Sequence, residues 1–174
     1  MEGTEILQLL AELAVGVLGF SGVVAVLGRR SAGEWSPADR SRFFVMVWTT
    51  ALVLVSSLIP FLLHHGGIAG PPLWGWCSAI AAAAWTLMLA ASVFGVGSLG
   101  FFSPSRPGVS KLASLYVFPS MFVTPLLLAL NALAIGFDRT FAPYLAALLL
   151  GFGSPIILFI RLLFSAIGPS RAAS

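Results

Sequence analysis

Charged residues are scarce in this chain: only 9% of its 174 residues are Asp, Glu, Lys or Arg, whereas soluble domains contain about a quarter. Hydrophobic residues make up 59%. A soluble fold of this size cannot remove so much apolar surface from water, so the composition predicts an integral membrane protein. The nine basic residues are scattered between apolar runs and form no basic patch, so we expect no nucleic-acid partner.

Reactive residues and catalytic motifs are equally sparse. Cys77 is the only cysteine, which excludes an internal disulfide and a cysteine-based metal site. The sequence has no phosphate-binding glycine loop, no metalloprotease helix motif and no serine nucleophile elbow. Lys111, the one lysine, falls at a loop edge and not inside a span. We therefore expect a protein that is not an enzyme and that carries no cofactor.

Five apolar windows are each long enough to cross a bilayer, which requires about 20 residues at 1.5 Å per residue. Turn-forming segments such as HHGGIAGPP and FFSPSRPGVSK separate them. We predict one all-α transmembrane domain over residues 1–174, a polytopic five-helix bundle. Its spans are expected at 6–27, 43–63, 73–99, 112–137 and 141–163. Pro37 suits the first position of the second helix, and the short connection DRT predicts that the last two helices form an antiparallel hairpin.

The distribution of basic residues predicts the orientation of these spans. With the N-terminus outside, eight of the nine basic residues fall in inner segments and Arg139 alone falls outside. The expected topology is N-terminus out and C-terminus in. We place the protein in the plasma (inner) membrane of a bacterium as a multi-pass protein.

Polar side chains follow one face of the first predicted helix. Glu5, Gln8 and Glu12 are three and four residues apart, so they share that face. Towards the inner end the face continues through small residues: Gly16, Gly19 and Gly22. A carboxylate about one-third of the way across a membrane is costly unless it meets water, a partner or a proton. Glu12 is therefore the leading candidate for a functional residue.

Two interpretations of this face stay open. Glu12 could be protonated or paired with a neighbouring helix, and the glycines would then form a close-packing surface. Alternatively, several copies around an axis would place Glu12 in a ring that attracts cations, as in channels. Glu5, Gln8 and the glycines would line the same pore. Val23 or Val26 would form an apolar gate, and Arg29 and Arg30 would flank the inner mouth.

Other polar residues predict packing more than chemistry. Thr49 and Ser56, and also Thr50 and Ser57, are seven apart and suggest hydrogen bonds between helices. Histidines at 64 and 65 are candidates for pH sensing, or for metal binding together with Glu5 or Glu12, although adjacent histidines point to different sides of a helix. Three aromatic residues are expected in the interfacial belt: Trp74, Trp76 and Tyr144. In the fourth helix Thr124 and Asn131, near two prolines, are a weaker candidate site.

Two resemblances bear on these expectations. The run GFSGVVAVLGRRSAGEWSPADRSRF, residues 19–43, resembles uncharacterised small bacterial membrane proteins, and that likeness implies no function. The order of acid, small residues, valines and basic pair is similar in layout to the pore helix of store-operated calcium channels. Those helices run in the opposite chain direction, so no residue roles are carried over.

Three functions compete at this stage. The first is a homo-oligomeric ion channel that conducts cations, with inorganic ions, the lipid bilayer and further copies of the chain as its partners. The second is a non-catalytic accessory subunit of a larger membrane complex. The third is a small proton-coupled transporter that uses Glu12 with His64 or Asn131.

Overall fold

The computed structural model of the chain describes residues 3–32, 37–93 and 111–167, and all of the regular structure in these ranges is helical. Each of its helices contains a segment long and apolar enough to cross a membrane. This confirms the predicted all-α architecture with five membrane-length helices. The helices are α1 (Thr4–Ala32), α2 (Pro37–His65), α3 (Pro71–Val93), α4 (Lys111–Leu133) and α5 (Phe141–Ile167).

Helix boundaries differ from the predicted spans for physical reasons. Helices α1, α2 and α5 continue beyond their apolar windows, because a helix does not have to end where its hydrophobic stretch ends. Helix α2 begins at Pro37, as predicted. The predicted end of the third span, at residue 99, lies outside the described residues. Helix α4 stops at Leu133, four residues earlier than predicted.

Helix α4 ends early because the backbone at Ala134 adopts a left-handed conformation. Ala134 has a φ of 58°, its N–H donates to the Asn131 carbonyl (3.3 Å), and the Ile135 N–H donates to the Leu130 carbonyl (2.9 Å). These two bonds form a Schellman motif, which satisfies carbonyls at the helix end. Glycine is the usual residue at this position, so Ala134 gave no stop signal in the sequence.

The five helices form a closed ring in chain order. Each helix packs against the next, α5 packs against α1, and α2 and α5 also contact each other across the middle. Within the described ranges α1 packs only against α2 and α5. The pairing of α4 with α5 agrees with the predicted hairpin. Helix α1 thus lies at one edge of the bundle, and α3 and α4 lie at the other.

An aromatic cluster joins α3 to α5 where the N-terminus meets the bundle. The Trp74 ring lies 5.0 Å from the ring of Phe141 and 5.7 Å from the ring of Tyr144. Gly3, with a φ of +73°, sits where a side chain would collide with the Phe141 ring. Trp74 and Tyr144 are both buried within the bundle, whereas Trp76 is exposed, and the place of all three in an interfacial belt stays a prediction.

The Tyr144 hydroxyl supplies a hydrogen bond that α2 cannot make within itself. Pro60 has no N–H, so it cannot donate the helical hydrogen bond to the carbonyl of Ser56, four residues earlier. The Tyr144 hydroxyl donates to that carbonyl at 2.5 Å. A carbonyl left without a donor in a water-free environment is unfavourable, so this bond ties α5 to α2 at the point where α2 needs a partner.

Three hydroxyl groups of α2 donate hydrogen bonds within their own helix and not to a neighbouring helix. Thr49, Thr50 and Ser57 each donate to a carbonyl three or four residues earlier in their own helix. The prediction that their seven-residue spacing reflects interhelical hydrogen bonds is therefore wrong for these three hydroxyls. A hydroxyl that donates to its own helix needs no partner on another helix. These small side chains can therefore lie in the contact between α2 and its neighbours.

Interhelical hydrogen bonds are concentrated between α4 and its neighbours. Ser120 and Ser154 share a bond of 2.6 Å, and the Tyr116 hydroxyl donates to the Leu150 carbonyl at 2.9 Å. Asn131 donates to the hydroxyl of Ser78 in α3 at 2.8 Å. These bonds join the first half of α4 to α5 at Tyr116 and Ser120, and its C-terminal end to α3.

We expect Tyr144→Phe to lower the free energy of unfolding by about 1 kcal/mol, the size of a hydrogen bond between membrane helices. Pro60→Ala provides the matched background, because alanine restores an N–H that can bond the Ser56 carbonyl. In the Pro60→Ala background, Tyr144→Phe should lower the free energy of unfolding by a smaller amount. Unfolding in detergent, followed by circular dichroism, measures both, and an equal cost in the two backgrounds would contradict this account of Tyr144.

Candidate functional site

Helix α1 has two opposite faces with different surroundings. One face carries Leu7, Leu10 and Ala14, which are at most 3% exposed and pack into the core. At 3.6 residues per turn, Glu5, Gln8 and Glu12 lie on the opposite side, and all three are exposed. The predicted acidic face therefore exists as a continuous surface, and it points away from the protein's own bundle.

Gln8 and Glu12 are coupled by a hydrogen bond. The amide Nε2 of Gln8 donates to Oε1 of Glu12 at 3.2 Å, one helical turn away. Glu12 lies eight residues after the start of α1, about 12 Å along the helix at 1.5 Å per residue. The Gln8 bond orients the carboxyl group, and the other carboxyl oxygen still offers its lone pairs outward.

Open space follows the acidic residues along the same face. A Cβ atom placed on Gly16, Gly19 or Gly22 would meet no atom within 4 Å outside its own helix backbone. We define the acidic–glycine face as the surface formed by Glu5, Gln8, Glu12, Gly16, Gly19 and Gly22. The glycines of this face are not needed for packing within one protomer, so they leave room for something outside it.

Other glycines in the chain are needed by the protomer. A Cβ on Gly151 of α5 would lie 2.7 Å from Cη2 of Trp85, and one on Gly153 would collide with the Tyr116 hydroxyl. The glycines of α5 permit close approach of α3 and α4, whereas those of α1 do not serve any helix of the same bundle.

The two valines predicted as a gate lie on the same side of α1. Val23 is 53% exposed and Val26 is 57% exposed. They follow the glycines towards the C-terminal end of α1, which is where the predicted gate would lie. The side chains of Arg29 and Arg30, predicted to flank the inner mouth, lie outside the described part of the structure.

His64 and His65 end α2 on the exposed surface. Their rings are 6.4 Å apart and nearly perpendicular, and Nδ1 of His65 lies 3.0 Å from the Phe61 carbonyl. Across the described ranges no group of three or more His, Cys, Asp or Glu residues is placed to hold a metal ion. The structure thus does not bring either histidine together with Glu5 or Glu12 in such a group.

Asn131 belongs to a closed hydrogen-bonding arrangement. Its Nδ2 donates to Ser78 Oγ and to the Thr140 carbonyl (3.1 Å), and its Oδ1 accepts from the Thr140 N–H (3.2 Å). Helix α4 does not pack against α1 in the described ranges, so Asn131 and Glu12 are not brought together within a protomer. Asn131 connects α4 to α3 and to the start of α5, a positioning role.

A second polar location lies in the middle of the bundle: the sequence predicted Thr124 as part of a weaker site with Asn131, but not that Thr124 and Trp85 meet at Gly151. The side chains of Trp85 and Thr124 are buried, and their polar atoms, Nε1 and Oγ1, have no hydrogen-bond partner in the described structure. Both residues surround Gly151. The sequence signal was the run GFGSP around Gly151, which predicts a kink but does not say which side chains face it.

The two kinds of glycine predict opposite responses to a methyl group. Gly151→Ala should lower the free energy of unfolding by about 1–3 kcal/mol through overpacking against Trp85. Gly19→Ala should leave the protomer as stable or stabilise it by up to about 1 kcal/mol through helix propensity. Unfolding of the detergent-solubilised monomer measures both changes, and a comparable loss from Gly19→Ala would show that its face is not open.

Comparison with protein-family models, curated proteins and solved structures finds no match for this chain. Function has to be argued from the chain's own geometry. Its most distinctive feature is the acidic–glycine face, a row of polar and small residues that α1 presents outside the bundle.

Proposed function

We propose that the protein is a multi-pass protein of the plasma (inner) membrane that assembles as a homo-oligomeric, cation-conducting channel with α1 lining the pore. One observation carries the proposal: Glu5, Gln8 and Glu12 are exposed on the side of α1 opposite its packed face.

Composition and helix length support the membrane location. Five helices contain apolar segments of 19 to 23 residues, sufficient for a hydrocarbon core of about 30 Å. The excess of basic residues in the segments joining one set of helix ends favours an orientation with the N-terminus outside and the C-terminus inside. Glu5 then lies near the outer surface, with Glu12 deeper in the same helix.

The cost of burying a carboxyl group in lipid favours a partner for the acidic–glycine face. An acidic residue at the centre of a span costs about 3 kcal/mol on biological insertion scales. Glu12 is exposed in the described part of the protomer, where its hydrogen-bond partner is Gln8 on the same face. Contact with water or with further copies of α1 removes that cost, and a pore provides both.

The position of α1 in the bundle favours an arrangement around a symmetry axis. Helix α1 is the edge helix, held in the groove between α2 and α5. Protomers that direct this edge inward would form a ring of α1 helices backed by α2 and α5. Glu12 would then be repeated around the axis as a cation-attracting ring, and Val23 and Val26 would narrow the path further in.

Ion selectivity tests the role of Glu12. In liposomes containing the purified protein, Glu12→Gln should reduce the preference for cations over anions, measured as a shift of the reversal potential in a salt gradient. A loss on the order of tenfold corresponds to about 1.4 kcal/mol of electrostatic preference. Glu5→Gln is the matched control, because Glu5 lies nearer the outer end and should have a smaller effect. Unchanged selectivity in Glu12→Gln would refute the assignment of Glu12 as the selectivity element.

Assembly tests the interface separately. Gly19→Leu adds bulk to the acidic–glycine face and should shift the detergent-solubilised protein towards smaller species, measured by light scattering. Ala83→Leu makes a similar change at an exposed small residue of α3 and should leave the assembly intact. If neither change alters the mass, α1 is not at an interface between copies.

The alternative of an accessory subunit predicts a different outcome of the same purification. A chain whose acidic–glycine face binds another protein would be isolated as a single copy with a stoichiometric partner. Gly19→Leu would then release that partner, and no symmetric oligomer would form.

A further inference from the structure

Three helices converge on Gly151 near the middle of the bundle. A Cβ atom on this residue would lie 2.7 Å from Trp85 Cη2, 2.8 Å from Trp85 Cζ2 and 3.5 Å from Thr124 Cγ2. Trp85 comes from α3, Thr124 from α4 and Gly151 from α5. The absence of a side chain at Gly151 brings an indole and a threonine from two other helices onto one stretch of backbone.

Both of the converging side chains carry a buried polar atom without a partner. Trp85 is 1% exposed and Thr124 is 0% exposed, yet the indole Nε1 and the hydroxyl Oγ1 make no hydrogen bond in the described structure. The hydroxyls of Thr49, Thr50 and Ser57 donate to carbonyls of their own helix. Thr124 does not, although its helix offers the same carbonyls.

Acceptors are also available at this level of the bundle. Pro125 has no N–H for the Met121 carbonyl, and Pro155 has none for the Gly151 carbonyl, so both carbonyls lose their usual helical donor. The indole N–H of Trp85 can only donate a hydrogen bond, the Thr124 hydroxyl can donate or accept one, and the two carbonyls can only accept. The neighbourhood of Gly151 thus contains both donors and acceptors.

We propose that Trp85 and Thr124 bind a single water molecule at the junction of α3, α4 and α5. The water accepts a hydrogen bond from the indole N–H, forms a second hydrogen bond with the Thr124 hydroxyl, and donates a third to a carbonyl that a proline has left without its helical donor. Buried waters characteristically bridge two to four such polar groups.

The chemistry of the surroundings favours a neutral guest over an ion. Helix α3 contains no charged residue, and the charged residues of α4 and α5, Lys111 and Arg161, are at least ten positions from Thr124 or Gly151 in their own helices. An ion would therefore lack a counter-charge. Water supplies both donor and acceptor functions without charge.

A four-protein comparison tests the site: the full chain, Trp85→Phe, Thr124→Val and the double variant, each unfolded thermally in the same detergent. Thr124→Val keeps the side-chain shape and should lower the midpoint by about 2–4 °C. Because both residues bind the same water, the loss in the double variant should be smaller than the sum of the single losses. Thr124→Ser, which keeps the hydroxyl, should retain the coupling with Trp85→Phe.

Thr50→Val is the matched control, since that buried hydroxyl bonds only within its own helix; it should show no coupling with Trp85→Phe. A midpoint that is unchanged or higher in Thr124→Val would overturn the proposal, because it would mean that the hydroxyl is simply unpaired. Additive losses would also overturn it. If a variant fails to fold, an experimental density map of the unmutated chain at about 2 Å resolution decides. A water peak between Trp85 Nε1 and Thr124 Oγ1 supports the site. The absence of such a peak, or a direct hydrogen bond between the two atoms, refutes it.

Discussion

The hydrogen bond from Tyr144 to the Ser56 carbonyl connects the two helices on which the rest of the bundle depends. Helices α2 and α5 contact each other across the middle, and α1 packs against only those two. Pro60 gives α2 a carbonyl that needs a donor, and α5 supplies it. The same tyrosine packs against Trp74, which brings α3 into the arrangement. One side chain of α5 thus contacts both α2 and α3.

Polar side chains differ in burial and in hydrogen bonding between the two sides of the bundle. Between α3, α4 and α5 they are buried and mostly paired with each other, as in the Asn131 arrangement and the Ser120–Ser154 bond. On α1, Glu5, Gln8 and Glu12 are exposed and the glycines beside them are open, although Ser21 of the same helix is buried. In the proposed membrane environment, such a surface would be costly for a protein that stays a monomer. This contrast is the physical basis of the proposed assembly around α1.

The sequence was sufficient for properties that depend on one helix at a time. Apolar windows predicted five helices, and spacings of three and four placed Glu5, Gln8 and Glu12 on one face. The direction of that face was not predictable, because Leu7 and Leu10, which are buried, are no more apolar than Leu9 and Leu13, which are exposed. The rotation of α1 depends on the shape of the groove between α2 and α5. Likewise, the hydrogen-bond partner of Tyr144 was not predictable, because the carbonyl freed by Pro60 lies more than 80 residues away in sequence.

The placement of α1 has a consequence for the order in which the chain can fold. Of the five described helices α1 is synthesised first, but one wall of its groove is α5, which is synthesised after the other four. Leu7, Leu10 and Ala14 therefore cannot reach their final environment until over a hundred further residues have been added. Until then α1 can pack only against α2, its other neighbour among the described helices. Packing of α5 completes the surroundings of the buried face of α1, whereas the acidic–glycine face stays uncovered by the described part of the protomer.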